Sequence, residues 1–280
     1  MRARSALFTL FGDVVLPAGG EAWLSTITAC MATLGFRSQA VRTALHRMAV
    51  EGWVEPRREG RYAAYRLTAR GVDRLEEAAA RIYRLRSLDW DGTWRLVLAP
   101  DLRDAEVVAE LEWIGYGRVQ DGVWAHPHPH PDTAKALLAR AGVEATWVEG
   151  ASVDDDRAFA GGAWALEALR DAHRDFLDEW TDVDVPTDPD ERFALRLRLV
   201  HRWRRFLFLD PGLPAEVLPA DWPGYTAAQV FARTYESLRE PTWAHYAELQ
   251  AGAGPSPSPT GRIEESASPF AQGLAALGQD

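Results

Sequence analysis

Two residue types are almost absent from the sequence: among its 280 residues, Cys30 is the one cysteine and Lys135 the one lysine. A single cysteine excludes an internal disulfide framework and any zinc or iron–sulfur site built from several thiolates. No uncharged apolar run reaches the roughly 18 residues that a transmembrane helix needs. The apolar stretch near the N-terminus is short and soon meets Asp13, unlike a signal peptide. We therefore expect a cytoplasmic protein with no membrane partner.

Motifs of common catalytic sites are lacking as well. The sequence contains no GxSxG nucleophile elbow, no GxxxxGK[ST] phosphate loop, no HExxH helix and no dinucleotide-binding glycine pattern. The run Asp154-Asp155-Asp156 has the oxygen ligands for a divalent cation, but acidic runs of this kind are usually solvated loops. We expect no enzyme activity, no cofactor and no metal.

The charge is distributed unevenly along the chain. The net charge is −10, from 31 basic and 41 acidic residues, which taken alone argues against a nucleic-acid partner. Residues 1–88, however, hold 14 arginines and 8 acidic residues, a formal charge of +6, and the remainder carries −16. A basic segment on an acidic body is typical of a module that faces nucleic acid.

The pattern along the chain predicts an α+β protein in four regions. These are a DNA-binding region with a linker helix at 1–88, a central domain at 89–151, a mainly helical effector and dimerisation domain at 152–250, and a tail at 251–280. The tail is rich in proline, serine and glycine, and we expect it to be disordered because that composition cannot support a packed core.

The first region has the spacing of a helix-turn-helix. Apolar residues recur at helical intervals over 6–15 and again over 22–34, where Gly35 marks a stop. Ser38 is a good N-cap for a helix over 39–51. One face of that helix carries side chains that bind base edges and phosphates: Ser38, Gln39, Arg42, Thr43, His46 and Arg47. We expect this helix to enter the major groove of DNA.

A short hairpin with arginines at its tip follows that helix. Two strand-like stretches flank the Glu59-Gly60 turn, and Arg57, Arg58 and Arg61 cluster around it. Appended to a helix-turn-helix, such a hairpin is a wing that can lie along the DNA backbone or the minor groove, and we expect the three arginines to contact the backbone. The alternative is a winged helix used for protein contact only. Thr68 is predicted to cap a further helix that runs to about Arg86.

Several separate stretches resemble the PaaX family of bacterial transcriptional regulators. The stretches are 7–13 (LFTLFGD), 40–48 (AVRTALHRM), 51–54 (EGWV), 65–68 (YRLT), 90–95 (WDGTWR), 209–214 (LDPGLP) and 218–224 (LPADWPG). The resemblance implies an N-terminal winged helix-turn-helix, a central ferredoxin-like domain and a helical C-terminal domain. It also implies a homodimeric repressor of an aromatic, phenylacetate-type catabolic operon, which an aryl- or acyl-CoA such as phenylacetyl-CoA releases from double-stranded operator DNA.

The central region supports that architecture independently of the resemblance. Its apolar patterns predict a strand over 94–99, a helix over 104–116, two strands around the Asp121-Gly122 turn, a helix over 132–141 and a strand over 144–149. The order βαββαβ is the split ferredoxin-like arrangement. This fold serves many functions and does not decide among them.

Two features of the acidic body are candidates for ligand binding. A helix predicted over 190–209 carries Arg198, Arg202 and Arg205 on one face, a stripe that could hold the phosphates of a CoA thioester or pair with nearby carboxylates. Trp222 lies in a turn between proline and glycine, where it could shape an aromatic pocket or lock a loop. An acyl-CoA-acting enzyme is the alternative function for this body.

The segment from His126 to Pro131 alternates histidine and proline. Imidazoles suit zinc, copper or nickel. The prolines keep His126, His128 and His130 from converging as two histidines one helical turn apart would, so we interpret the segment as an exposed polar loop.

Overall fold

The computed structural model describes residues 1–83, 90–129, 132–152, 155–251, 253–254 and 269–270. The chain divides into two compact units. The first consists of Met1–Leu85, Glu179–Arg204 and Gln229–Asp280, and the second of Arg86–Asp178 and Arg205–Ala228. Helices accompany two antiparallel sheets, which confirms the mixed α+β class.

The first unit begins with helix α1, Ala3–Leu10, which continues into a π-helical turn, Phe11–Val15. Strand β1, Glu21–Trp23, precedes helix α2, Leu24–Thr33. The predicted helix over 22–34 is therefore wrong at its start. Residues 21–23 are extended because they pair with a strand from the hairpin further along the chain, and such pairing overrides the helical spacing of the apolar residues.

Helix α3, Ser38–Val50, follows a tight turn in which Gly35 adopts φ 81°. Ser38 is its first helical residue and Arg37 occupies the N-cap position, so the predicted capping role of Ser38 is wrong. Strands β2, Val54–Glu59, and β3, Tyr62–Leu67, form the hairpin, and the sheet order is β1-β3-β2. Thr68 caps helix α4, Ala69–Ile82, by accepting a hydrogen bond from the Gly71 amide, as predicted.

Helices from late in the sequence complete the core of the first unit. They are α9, Pro189–Trp203, and α11, Arg239–Ala251, and the unit also takes residues 229–237 of α10, Gly224–Ser237. Phe193, Leu197 and Tyr246 lie fully buried in one hydrophobic cluster with residues of α1, α2 and α3. The helix predicted over 190–209 ends at Trp203 and tightens into a 3₁₀ turn, Arg204–Phe208, as is common at helix C-termini.

The second unit contains the predicted ferredoxin-like arrangement. Its elements are β4 Trp94–Leu98, α5 Ala105–Trp113, β5 Gly117–Gln120, β6 Val123–His126, α6 Asp132–Arg140 and β7 Thr146–Gly150. The sheet has the order β5-β6-β4-β7 with antiparallel neighbours, which confirms the βαββαβ prediction. Helix α7, Asp156–Ala163, and residues 166–178 of α8, Leu166–Trp180, follow.

Most of the predicted tail, 255–268 and 271–280, lies outside the described residues. Two of its residues that are described, Ala253 and Phe270, are buried in the first unit. Within the described part of the chain, no helix is both long and apolar enough to cross a membrane.

Candidate nucleic-acid interface

Helix α3 has one buried and one exposed face. Val41, Ala44, Leu45 and Met48 are buried in the core of the first unit. The structure brings the six predicted contact residues together on the opposite, solvent-exposed side: Ser38, Gln39, Arg42, Thr43, His46 and Arg47. Thr43 already donates its hydroxyl hydrogen to the carbonyl of Gln39, at 2.9 Å. The remaining five side chains give the face its hydrogen-bonding capacity.

Of the hairpin arginines, Arg57 is held by the sheet. Its Nε donates to Oε1 of the buried Glu21 carboxylate at 2.8 Å, and its Nη1 donates to Glu59 at 3.2 Å. The guanidinium also lies 5.6 Å from the centroid of the Trp23 ring. The hydrogen bond to Glu21 raises the pKa of Arg57. These contacts fasten the hairpin to β1 and engage Arg57 before any ligand arrives.

Arg58 and Arg61 are exposed near the tip of the hairpin. Arg61 lies 5.1 Å from the centroid of the Tyr62 ring and donates to its hydroxyl at 3.0 Å, which keeps the long side chain beside the hairpin. No described residue forms an ion pair or hydrogen bond with the guanidinium of Arg58 or of Arg42. Their charge is therefore not neutralised within the described part of the protein.

A basic cleft connects the two arginine-bearing elements. It has a volume of about 710 Å³, and α2, α3 and the hairpin line it. Its polar lining consists of Arg42, Arg58, Arg61, Tyr62, Ser25 and Thr28. The lining includes three guanidinium groups and no carboxylate, so the concave surface favours an anion such as a phosphate.

Sequence reasoning missed the contribution of α2 to this cleft. Ser25 and Thr28 lie three residues apart in the first turns of α2, a spacing that places them on one face. Ser25 donates to the carbonyl of Ala253 at 2.7 Å, so the chain beyond α11 lies at the rim. Gly254 packs against the Trp23 indole so closely that a Cβ would lie 2.3 Å from it. Only glycine fits there.

The first unit also holds a buried ionic cluster, which consists of Asp13, Arg196, Tyr235 and the half-buried Tyr83. Arg196 donates from Nε to Oδ2 of Asp13 at 2.8 Å and from Nη2 to Oδ1 at 3.1 Å, with side-chain exposures of 1% and 0%. The hydroxyls of Tyr83 and Tyr235 donate to the same carboxylate, at 2.8 and 2.9 Å. Burial alone lowers the pKa of Arg196, but Asp13 and the phenols outweigh it and raise that pKa.

The sequence contains a sign of this cluster, namely charged residues at positions that the apolar periodicity predicts to be buried. Asp13 interrupts an apolar helical run, and Arg196 lies among the buried residues of α9. A charge on the buried side of a helix needs a partner of opposite charge. The partner lies 183 residues away, which no local pattern identifies.

Comparison with known proteins covers nearly the whole chain. Family models match at residues 2–71 (PaaX-like protein), 87–158 (PaaX protein central Cas2-like domain) and 164–248 (PaaX-like protein C-terminal domain). A relative from Escherichia coli strain K12, named transcriptional repressor PaaX, is 32% identical over 274 residues, covering 91% of this chain and 86% of the relative. The chain belongs to the PaaX family. A solved structure of an uncharacterised Mycobacterium tuberculosis protein is also similar, at 26% identity and a TM-score of 0.59, covering 87% of this chain and 98% of the other.

The candidate ligand residues of this PaaX-family chain are divided between the two units. Arg198 and Arg202 belong to the first unit, where Arg198 is exposed and Arg202 donates to Glu179 at 2.8 Å. Arg205, in the 3₁₀ turn, and Trp222 belong to the second unit. Trp222 is buried, with its ring centroid 5.8 Å from that of His173. The pairing of Arg202 favours the interpretation in which the stripe meets carboxylates.

The histidine–proline segment is not wholly exposed. His126 is buried, and its ring lies 4.9 Å from that of Tyr116. Its Nδ1 lies 2.8 Å from the carbonyl oxygen of His128 and 3.2 Å from the amide nitrogen of the same residue. The prediction of an exposed polar loop is therefore wrong at His126, which packs inside the second unit; His130 lies outside the described residues. Among the residues described, no group of three or more His, Cys, Asp or Glu is arranged to hold a metal ion.

Proposed function

We propose that this PaaX-family protein is a transcriptional repressor that inserts helix α3 into the major groove of double-stranded operator DNA. The observation that carries the proposal is the continuity of two surfaces: Arg42 lies both on the exposed face of α3 and in the basic cleft beside the hairpin. Helix α2, the glycine turn, α3 and the hairpin follow one another as in a winged helix-turn-helix.

The proposed DNA contacts are of two chemical kinds: some side chains read base edges, and others bind the phosphate backbone and position the protein. Gln39 has the donor and the acceptor that match adenine in the major groove, and Arg42 has the two donors that match guanine. His46 and Arg47 extend that face by one helical turn. Arg58 and Arg61 meet phosphates from the wing, in the cleft that Ser25 and Thr28 also line. The hydroxyls of Ser25 and Thr28 already donate to the carbonyls of Ala253 and Leu24, at 2.7 Å each. Arg57 supports the wing through Glu21.

The regulatory part of the proposal follows the family resemblance. A homodimer would place two α3 helices on an inverted repeat, because two-fold protein symmetry favours a palindromic site. An aryl- or acyl-CoA of the phenylacetyl-CoA type releases the dimer from an aromatic catabolic operon in the cytoplasm. Such release requires different ligand affinities in the DNA-bound and free conformations. Arg198, Arg202, Arg205 and Trp222 remain candidates for ligand contacts.

The test is a mobility shift with the DNA upstream of the protein's own gene, against random DNA of equal length, with and without phenylacetyl-CoA. We expect a shift that random competitor does not abolish and that the thioester reverses. Binding to both DNAs alike would contradict an operator-specific repressor. No shift at low salt would instead favour a winged helix that contacts protein.

A further inference from the structure

Phe270 lies in an aromatic socket, defined here as the rings of Tyr83, Phe231 and Tyr235. The ring centroids are 5.5, 5.7 and 5.3 Å from that of Phe270, at interplanar angles of 78°, 84° and 86°. Phe270 is only 1% exposed. Three edge-to-face contacts on one ring are a favourable arrangement for any phenyl group.

The aromatic socket adjoins the buried ionic cluster. Tyr83 and Tyr235 belong to both, since their hydroxyls donate to Asp13. The guanidinium carbon of Arg196 lies 4.0 Å from the centroid of the Tyr235 ring. Nη1 of Arg196 is buried and has no hydrogen-bond partner among the described residues. A buried donor left without an acceptor is costly, and the phenylalanine side chain in the socket carries no acceptor.

We propose that the aromatic socket is a binding site for an arylacetyl group and that Phe270 occupies it as an internal competitor. The proposal rests on the proposed function, because it places the effector of that function. The ligand's phenyl ring replaces the ring of Phe270, and its carbonyl oxygen accepts the hydrogen bond that Arg196 Nη1 otherwise lacks. A free arylacetate and an arylacetyl-CoA share this chemistry, whereas acetyl-CoA has no ring.

The socket is connected to the DNA-binding surface through Asp13. That residue lies in the π-helical turn that extends α1, and α1 packs with α3 in one core. A ligand that accepts a hydrogen bond from Arg196 changes the hydrogen bonds that Arg196 donates to Asp13. The arrangement thus offers a route by which an aryl ligand alters the support of α3 without touching the basic cleft.

The direct test follows the ring of Phe270 in the full chain. 4-Fluorophenylalanine is placed at position 270 and its ¹⁹F resonance is recorded while phenylacetate, phenylacetyl-CoA or acetyl-CoA is added. The same label at Phe208, which is 71% exposed, supplies the exposed reference and the control. We expect phenylacetyl-CoA or phenylacetate to move the position-270 resonance to the exposed value. Comparing the two titrations shows whether the free acid or the CoA thioester is the preferred ligand. A resonance that neither compound moves would overturn the proposal.

A second measurement uses affinity. Phe270→Ala removes the competitor, so phenylacetyl-CoA should bind about tenfold more tightly by calorimetry, since a tethered group competes at high effective concentration. Phe208→Ala is the matched control and should leave the affinity unchanged, and acetyl-CoA should gain nothing from either substitution. An equal gain for acetyl-CoA, or no gain for phenylacetyl-CoA, would count against the socket. Neither measurement involves DNA, so a failed mobility shift would refute the repressor proposal separately.

Discussion

Arginine has opposite roles in two regions of the first unit. In the basic cleft, Arg42 and Arg58 are exposed and have no ion-pair partner among the described residues. In the ionic cluster, Arg196 is buried against Asp13 and the phenol of Tyr235. The same side chain stabilises the fold where it meets a carboxylate and remains available to a phosphate where none is near. The position of the acids therefore separates arginines that are bound within the fold from arginines that remain open to a ligand, which composition alone cannot do.

Arg57 and Arg202 lie between these extremes. Each is partly exposed, and each donates to a carboxylate at 2.8 Å, Glu21 and Glu179 respectively. Pairs of this kind contribute little to stability but reduce the charge offered to a ligand. The comparison thus ranks the arginines by how strongly a carboxylate engages each guanidinium, and four measurements test it.

The largest effect is expected from Arg196→Ala. Removing one partner of a buried pair leaves the Asp13 carboxylate uncompensated, which costs about 3–5 kcal/mol of unfolding free energy. Urea denaturation followed by tryptophan fluorescence measures the loss. Arg202→Ala, which opens a partly exposed pair, is the control and should cost under about 1 kcal/mol. Equal losses in the two variants would remove the distinction between buried and exposed arginines.

Arg42→Ala should leave stability unchanged and weaken specific DNA binding by about 1–3 kcal/mol. The cause is the loss of a base-edge contact in the major groove, and titration with operator and with random DNA measures it. If both DNAs lose the same affinity, Arg42 positions the protein and does not read sequence.

Arg58→Ala should weaken binding to every DNA sequence alike and lower the slope of log affinity against log salt by about one, because a single phosphate contact is lost. Binding isotherms at several salt concentrations give the slope. Arg57→Ala is the comparison, since its guanidinium already binds Glu21. A larger change in slope for Arg57 than for Arg58 would reverse their assigned roles.

The smallest effect concerns pH and an exposed acid in the second unit. Arg95 donates to Asp91 at 2.8 Å and lowers the pKa of that carboxyl from 3.8 to about 2. Because the folded pKa lies below the unfolded one, the pair stabilises the protein above pH 3.8 and this contribution disappears as pH falls towards 2. Asp91→Asn should therefore be slightly less stable than the parent at pH 6, with the gap closing in acid. If the difference in unfolding free energy between the parent and Asp91→Asn grew as the pH fell, the pair would not be stabilising in the way proposed.

The sequence predicted what local patterns determine. The exposed face of α3 followed from helical spacing around Val41 and Leu45, and the cap at Thr68 from residue type. The ferredoxin-like order followed from alternating patterns and the turn at Gly122, whose φ is 72°.

What the sequence missed depends on contacts between distant residues. Strand β1 was not predicted because its three residues are extended only through pairing with β3. The engagement of Arg57 by Glu21 depends on that pairing, so it was missed too. The ionic cluster joins Asp13 to Arg196, and neither position shows its partner in the local sequence.

The core beneath α3 has a consequence for how the protein is synthesised. Phe193, Leu197 and Tyr246 lie fully buried beside residues of α1, α2 and α3. Domains generally fold as units, the N-terminal one first, while the chain emerges from the ribosome. Here the N-terminal helices cannot complete the burial of their apolar faces until Tyr246 has been translated. We therefore expect the region that carries α3 to acquire its final packing only after α11 has left the ribosome, and a fragment containing residues 1–88 alone to expose part of that core to chaperones.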